Sequence, residues 1–320
     1  MKKNVIYLLL IVISASGMFC QRGEQEKNKG PKIALVLKTL NNPFFIDLQN
    51  GAVESARQLG FELIVQAPER EVDVEKQMQI MENLIQAQVD VICVTPSGSK
   101  EIIPAIAKAN KAGIPIIIVD TGVDSSALQE SGAFISTFIG SDNFEGGVIA
   151  GKYIAEQLNG KGKIAILEGV PGHETGDTRL RGFHYALKEF PGLEVLSSQT
   201  ANFERDQGYN VFQNMLQSFP QIEALFACND MMALGAIEAI ALAKRTNSLL
   251  VVGFDAVEDG KEAIRNGKMN ASIAQHPQAM GRLAIENAVK VIKGEKIAAK
   301  IPVPIDLITK QNVDTVKDTK

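Results

Sequence analysis

The sequence predicts an α/β fold with two doubly wound parallel-sheet (Rossmann-like) lobes, joined by crossover hinge strands, with a ligand cleft between them. Short apolar runs alternate with segments of helical periodicity from Lys32 onward, which is typical of right-handed βαβ units. The chain has 320 residues, enough for two domains. Two sheets of about five or six strands each fit the usual size of a domain better than one sheet of ten.

Ten strand-like apolar runs follow one another along the chain. They are residues 33–37, 62–66, 89–94, 114–119, 133–139, 163–167, 193–199, 224–228, 249–254 and 271–274. Helix-period segments between them include residues 44–59, 74–88, 143–158, 231–244 and 277–293. A further strand is predicted in the tail, at residues 305–308.

The lobe boundary is predicted at the turn that begins with Gly140, where Ser141 or Asp142 is placed to cap the next helix. The last helix and the tail strand then cross back between the lobes. We therefore predict an N-terminal lobe of residues 31–139 plus 276–304, and a C-terminal lobe of residues 140–275 plus 305–320.

The N-terminus has the pattern of an export signal. Two lysines precede an apolar stretch at residues 5–13, which is too short to span a bilayer. We predict a signal peptide at residues 1–19, lipidation at Cys20 and a polar tether at residues 20–30. Phe19 departs from the small residue usual before a lipidated cysteine, so ordinary cleavage after residues 15–17 is the alternative. The expected location is the periplasm or the outside of the cytoplasmic membrane.

Composition argues against several classes of function. The net charge is −4 and no basic run occurs, which disfavours a nucleic-acid partner. His173, His184 and His276 lack metal-site spacing, and we predict neither a metal nor a cofactor. Cys93 and Cys228 fall in separate strand patterns, so two buried thiols are expected rather than a disulfide.

Short polar side chains recur where predicted strands end. Asp120, Asn229, Asp255 and Gln275 each follow an apolar run. Any one of them could serve only as a cap or turn residue. Because open α/β sheets bind ligands at the carboxyl ends of their strands, two facing sheet edges would bring all four to one cleft. Asp230, by contrast, is predicted to cap the helix beginning at Met231 rather than to touch a ligand.

The loop after the first strand combines polar groups with rings. Lys38 and Asn42 precede Pro43, a favourable helix starter, and two adjacent rings, Phe44 and Phe45. Amides and carboxylates can bond pairs of hydroxyl groups, and rings can cover C–H faces. The loop therefore favours a sugar as the ligand.

Four stretches carry a family resemblance, namely residues 39–45, 229–235, 251–255 and 273–277. With them, the chain resembles the ribose/allose-type periplasmic sugar-binding proteins, the substrate-binding subunits of sugar ABC transporters. The resemblance implies that residues of both predicted lobes contact the sugar. The predicted ligand-binding set is Lys38, Asn42, Phe44, Phe45, Asp120, Thr121, Arg179, Phe203, Asn229, Asp255 and Gln275.

Three positions depart from the ribose pattern that this resemblance implies. Lys38 stands in place of a serine, and Thr121 and Asp177 each stand in place of an arginine. The surrounding residues look more like the allose-binding branch, which favours a hexose, or a related sugar or polyol, over ribose. Lys38 and Arg179 balance Asp120 and Asp255 in charge, which favours a neutral ligand.

The predicted function is capture of one monosaccharide by lobe closure and delivery to a membrane permease, without enzymatic activity. We expect a monomer, with a chemoreceptor as a further candidate partner. One alternative is the effector domain of a sugar-responsive repressor, but residues 1–30 hold a signal segment where a DNA-binding domain would be needed. A sugar-acting enzyme and a receptor for a signalling molecule or nucleoside are the others.

Overall fold

The computed structural model describes residues 30–246 and 248–316. The predicted signal peptide, the lipidation site Cys20 and the tether, apart from Gly30, lie outside the described residues. None of the helices in the described part is long and apolar enough to cross a membrane.

The described chain alternates strands and helices almost from end to end. The first half contains β1 (Lys32–Val36), α1 (Pro43–Leu59), β2 (Glu62–Gln66), α2 (Val74–Gln86), β3 (Val91–Val94), α3 (Ile103–Lys111), β4 (Ile116–Val119), α4 (Ser125–Ser131) and β5 (Thr137–Gly140). The second contains α5 (Asn143–Gln157), β6 (Lys161–Glu168), α6 (Glu174–Leu187), β7 (Gly192–Thr200), α7 (Arg205–Ser218), β8 (Ala224–Ala227), α8 (Asp230–Leu242), β9 (Leu250–Asp255), α9 (Glu258–Arg265) and β10 (Ala271–Ala274). Three elements follow: α10 (Pro277–Ile292), β11 (Lys300–Pro302) and β12 (Asp306–Thr309).

The strands form two sheets with the same topology. The first has the order β11-β5-β4-β3-β1-β2, and the second has the order β12-β10-β9-β8-β6-β7. Neighbouring strands are parallel except for β10 and β12, which are antiparallel. Each sheet reverses its strand order beside its first strand, which is the point where such sheets bind ligands. The predicted fold class of two doubly wound lobes is thereby confirmed.

The chain passes between the sheets three times: after β5, after β10 and between β11 and β12. These crossovers touch one another. The backbone N–H of Val303 donates to the carbonyl of Gly140 at 3.0 Å, and the Ser141 hydroxyl donates to the carbonyl of Gln275 at 3.4 Å. His276, with a left-handed φ of 57°, lies 2.8 Å from the carboxylate of Asp306. The hinge therefore consists of three crossover segments that contact one another.

Apolar side chains cover both faces of each sheet. In the first lobe, α10 returns to pack on α1, where a Cβ on Gly281 would lie 1.9 Å from the carbonyl oxygen of Leu48. The close approach of the two helices explains why a residue without a side chain stands there. Cys93 and Cys228 are buried free thiols, as predicted.

Several local predictions are confirmed and others are wrong. Asp142 caps α5 by accepting from the backbone N–H of Glu145 at 3.0 Å, as expected. The fifth strand begins only at Thr137, and β11 was missed because three residues ending in a proline carry little strand signal. The predicted role of Asp230 as a helix cap is wrong. Asn229 caps α8 instead, and α8 begins at Asp230 itself.

Candidate functional site

A cavity lies between the carboxyl edges of the two sheets. About 260 Å³ of space lies between its lining side chains, part of it open to solvent. Ten of the eleven predicted site residues line it. The full lining is Lys38, Asn42, Phe44, Phe45, Glu71, Asp120, Thr175, Arg179, Phe203, Asn229, Asp255 and Gln275. Such a cavity suits a small ligand that contacts both lobes.

The loop after β1 is held by the start of α1. Asn42 caps this helix, because its Oδ1 accepts from the backbone N–H of Phe44 at 3.0 Å. Its Nδ2 donates to Oε1 of Glu71, also at 3.0 Å. The Lys38 ammonium lies 4.0 Å from the other carboxylate oxygen of Glu71, and both side chains are nearly buried. A cation, an amide and a carboxylate thus form one connected wall.

Rings form the apolar part of the cavity. Phe44 and Phe45 meet edge to face, with ring centroids 5.2 Å apart. Lys38 Nζ lies 5.8 Å from the ring centroid of Phe45 and 5.9 Å from that of Phe203, which comes from the other lobe. Because rings from both lobes face the same cavity, the C–H faces of a ligand can be covered from two sides.

Asp120 belongs to a contact between the lobes. Its Oδ2 accepts from the Thr121 hydroxyl at 2.9 Å, and that hydroxyl oxygen accepts in turn from the hydroxyl of Thr175 at 2.9 Å. Thr121 is buried and stands behind the cavity wall. It therefore orients Asp120 and joins it to the second lobe.

Arg179 is the best anchored cation of the site. From α6, it donates through Nε to Asn143 at 2.9 Å and through Nη1 to the carbonyl of Cys228 at 2.6 Å. Its guanidinium carbon lies 3.8 Å from the ring centroid of Phe254, and Nη1 lies 3.6 Å from the Asp255 carboxylate. Residues of three segments, namely α5, the end of β8 and β9, hold the guanidinium, so its position is well defined before any ligand arrives.

Asp255 and Gln275 form the end of the site on the second sheet. Gln275 Nε2 donates to Asp255 Oδ1 at 2.7 Å. The Oε1 atom of Gln275 is buried and has no hydrogen-bond partner among the described residues. A buried acceptor without a donor costs about 1–3 kcal/mol, which a ligand hydroxyl could recover.

Asn229 links two walls of the cavity. Its Oδ1 caps α8 by accepting from the backbone N–H of Met232 at 2.9 Å, and its Nδ2 donates to the carbonyl of Phe203 at 3.1 Å. Phe203 has a φ of 62°, and its ring packs on Gly169, where a Cβ would lie 2.1 Å from the ring. The missing side chain at Gly169 is what lets the ring reach the cavity.

Two lining residues were missed by the sequence analysis. Glu71 lies in the loop after β2, and Thr175 lies at the start of α6, after β6. They lie five and seven residues beyond the ends of these strands, so the rule that a polar residue directly after a strand faces the cleft does not reach them. Asp177, whose role the sequence left open, is half-buried and does not line the cavity.

Burial shifts two carboxyl groups of the cavity toward their neutral forms. Burial raises the pKa of Glu71, while Lys38 and the Asn42 hydrogen bond oppose the rise. Burial likewise raises the pKa of Asp255 well above its ordinary value, against the lowering effect of Arg179. The raised pKa values reduce the negative charge that Glu71 and Asp255 add to the site.

This set of groups is suited to hydrogen-bonding a neutral polyhydroxyl molecule. Carboxylates and carbonyls accept from hydroxyl groups, the guanidinium and amides donate to them, and the rings cover apolar faces. No group of three or more residues with metal-ligating side chains occurs within residues 30–246 and 248–316. Both lobes contribute, so the ligand would be enclosed as they meet.

Comparisons with known proteins agree with this geometry. The model of the periplasmic binding protein domain matches residues 33–296. The ribose import binding protein of Haemophilus influenzae is 39% identical over 277 residues, covering 87% of this chain and 91% of that protein.

Two solved structures are similar along their whole length. An ABC transporter solute-binding protein from Actinobacillus succinogenes with bound D-allose has a TM-score of 0.86 and 40% identity, covering 90% of this chain and 100% of that one. One from Bacillus halodurans with bound myo-inositol has a TM-score of 0.83 and 31% identity, covering 90% and 98%.

Proposed function

The chain belongs to the periplasmic binding protein family, and on that premise we propose that it captures a neutral monosaccharide between its lobes and delivers it to the permease of a sugar ABC transporter. The observation that carries the proposal is the cavity at the facing carboxyl edges of the two sheets, lined by hydrogen-bonding side chains and rings from both lobes. Since the ligand contacts both lobes, its binding stabilises the closed form that the permease recognises.

We propose an allose-like hexose as the preferred ligand, with ribose-like sugars and polyols as weaker ones. The buried Lys38 supports this choice, because its ammonium brings three donors to the cavity where the ribose pattern has a single serine hydroxyl, and a hexose has one more hydroxyl group than ribose to accept from them. The ligand contacts are proposed to be the ten lining residues named from the sequence, with Glu71 and Thr175 added, while Thr121 acts through Asp120. The relatives named above include proteins with bound D-allose and bound myo-inositol.

Isothermal titration of the purified protein tests the proposal. We expect D-allose to bind with a dissociation constant well below 1 mM, ahead of D-ribose and myo-inositol, and anionic glucose 6-phosphate not to bind. A dissociation constant of 1 mM corresponds to about 4 kcal/mol. If no neutral sugar binds more tightly than that, the proposed function is wrong.

A pair of variants connects the binding to this cavity. Asp255→Ala removes a carboxyl group of the cavity, and we expect it to weaken D-allose binding at least tenfold. Asp314→Ala removes an exposed carboxylate of the same lobe, which pairs with Arg265 on the surface, and should leave binding unchanged. Equal effects of the two variants would place the ligand elsewhere.

The protein acts in the periplasm, as its family does. We further propose that it is a monomer, that Cys20 is acylated and anchors it to the membrane, and that a chemoreceptor is a second partner. The signal pattern of residues 1–20 supports the anchor. We expect the full-length protein to partition into a detergent phase and Cys20→Ser to remain in the aqueous phase. A wild-type protein that stays in the aqueous phase would contradict the anchor.

The lobe division at residues 139/140, 275/276 and 304/305 is also a proposal. The sheet to which each strand belongs supports it, except that β5 extends to Gly140 and so places the first boundary one residue later. The family relatives are import binding proteins rather than enzymes or repressors. They support the transport function over the repressor-type effector domain.

A further inference from the structure

Asp230 is a fully buried carboxylate that does not line the cavity. It is the first residue of α8, directly after the cavity residue Asn229. Its two oxygens serve different partners. Oδ2 accepts from the backbone N–H of Val257 at 2.9 Å, and Oδ1 accepts from the hydroxyl of Ser272 at 2.7 Å. A buried carboxylate is costly, so its retention behind the site calls for a reason.

The partners of Asp230 converge on the turn that follows β9. Ser272 Oγ accepts from the backbone N–H of Ala256 at 2.9 Å, so Asp230 and Ser272 together hold two successive amides. Asp255 and Ala256 in this turn have φ values of 105° and 50°. Residues other than glycine adopt such values at a cost of about 1–3 kcal/mol each, and only when the surroundings hold them.

This left-handed turn decides where the Asp255 carboxylate points. From it, Asp255 accepts from Gln275 at 2.7 Å and lies 3.6 Å from Arg179. An ordinary extended backbone at Asp255 would direct its side chain elsewhere. The two amide contacts beneath the turn therefore position Asp255 against Gln275 and Arg179.

The fit around Asp230 is close on both sides. A Cβ on Gly253 would lie 2.0 Å from Oδ1, and a Cβ on Gly260 would lie 2.2 Å from Oδ2. The carboxylate thus fills a slot between β9 and α9 that is open only because both residues are glycines. Four residues, from α8, β9, α9 and β10, share this arrangement.

We propose that Asp230, together with Ser272, is a positioning residue of the sugar site: it acts through the turn at residues 255–257 to set the orientation of Asp255, without touching the ligand. The inference rests on the proposed sugar-binding function.

An amide cannot replace the carboxylate in this position. Val257 and Ser272 both donate to Asp230, one to each oxygen, whereas an asparagine offers a single acceptor oxygen and turns its NH₂ group toward a donor. Asp230→Asn therefore loses one of the two supports while keeping the shape of the side chain. Burial raises the pKa of Asp230 to about 7, so removal of its charge need not destabilise the fold.

A double-mutant cycle with D-allose as the probe tests the proposal. We expect Asp230→Asn to weaken binding about tenfold in the wild-type background, and less than twofold when Asp255→Asn is already present. Ser272→Ala, which removes the second support, should weaken binding threefold or more. It also keeps the test open if Asp230→Asn fails to fold.

Asn270→Ala is the matched control. Asn270 joins the N-terminal ends of β9 and β10, because its Oδ1 accepts from the backbone N–H of Val251 at 2.9 Å. The Asn270→Ala substitution should lower the melting temperature and leave the dissociation constant unchanged. Wild-type affinity in both Asp230→Asn and Ser272→Ala would overturn the inference, as would equal effects of Asp230→Asn with and without Asp255. A wild-type protein that binds no sugar would instead contradict the proposed function.

Discussion

Arg179 and Asp255 form a buried ion pair across the second lobe, with Nη1 and Oδ1 3.6 Å apart. The pair is not the only support of the guanidinium, because Asn143 and the carbonyl of Cys228 accept from it at shorter distances. Other groups therefore set the position of the guanidinium, and Asp255 lies beside it. The Asp255 carboxylate can still accept hydrogen bonds from hydroxyl groups in the cavity.

Arg179→Lys keeps the positive charge and loses the planar fork of donors. We expect at least tenfold weaker D-allose binding, because an ammonium cannot donate to Asn143 and the Cys228 carbonyl from the same place. Titration calorimetry measures the loss. Arg181→Lys, two residues further along α6, is the control and should bind as the wild type does. Unchanged affinity in Arg179→Lys would mean that charge alone matters.

Lys38 and Glu71 should be energetically coupled. Lys38→Met leaves a buried carboxyl group without its cation and is expected to lower the free energy of unfolding by roughly 1–3 kcal/mol. Adding Glu71→Gln should recover most of that loss, since the neutral amide no longer needs the cation. Urea denaturation of the two single variants and the double variant measures the coupling. Strictly additive effects would show that the 4.0 Å contact contributes nothing.

Arg70 and Glu204 join the lobes at the edge of the cleft, with Nε and Oε1 3.3 Å apart. The pair is partly exposed, so we expect it to contribute about 0.2–1 kcal/mol to closure and to weaken with salt. Arg70→Ala should raise the dissociation constant two- to fivefold at low ionic strength and reduce its salt dependence. Arg57→Ala breaks a surface pair within α1 and serves as the control. A salt dependence unchanged by Arg70→Ala would contradict this role.

We expect His173 to make closure sensitive to acid. In this structure, where the lobes touch, burial and then the nearby Lys38 lower the pKa of His173 to about 3, and the backbone of Ser97 in the other lobe opposes the shift. An exposed histidine in an open cleft has a pKa of about 6.5. The closed state thus binds fewer protons than the open state. Closure is favoured above about pH 6.5 and loses up to about tenfold in affinity per pH unit below it.

The difference between wild type and His173→Gln isolates this effect. Glu71 and Asp255 have raised pKa values in the closed form, so their protonation acts in the opposite direction in both proteins. Titrations of D-allose from pH 8 to pH 5 should therefore show a steeper loss of affinity in the wild type than in the variant. Parallel profiles would show that His173 does not titrate on opening.

The sequence predicted the fold because the signals for it are local and repeated. Apolar runs alternate with helical periods, and polar residues follow the strands, so the positions of Asp120, Asn229, Asp255 and Gln275 could be inferred from strand ends alone. The three-residue β11 and the antiparallel pairing of β12 could not, since both depend on partners far along the chain.

The missed details of the site have a common physical cause. Glu71 lies in an irregular loop, and only the packing of that loop against α1 brings its carboxylate to Asn42 and Lys38. Asp230 follows the local rule for a helix cap, yet its carboxylate is taken by Val257 and Ser272 from distant segments. Local propensity names candidates, and tertiary contacts decide which of them face the ligand.

The late strands β11 and β12 bear on the order in which the molecule assembles. The first lobe lacks α10 and an edge strand until Lys300–Pro302 has been synthesised, and the second lacks its edge until Asp306–Thr309 follows. A growing chain therefore cannot complete either sheet before nearly all of it has left the ribosome. The two lobes are therefore completed together, late and by the same short segment of chain, and not one after the other.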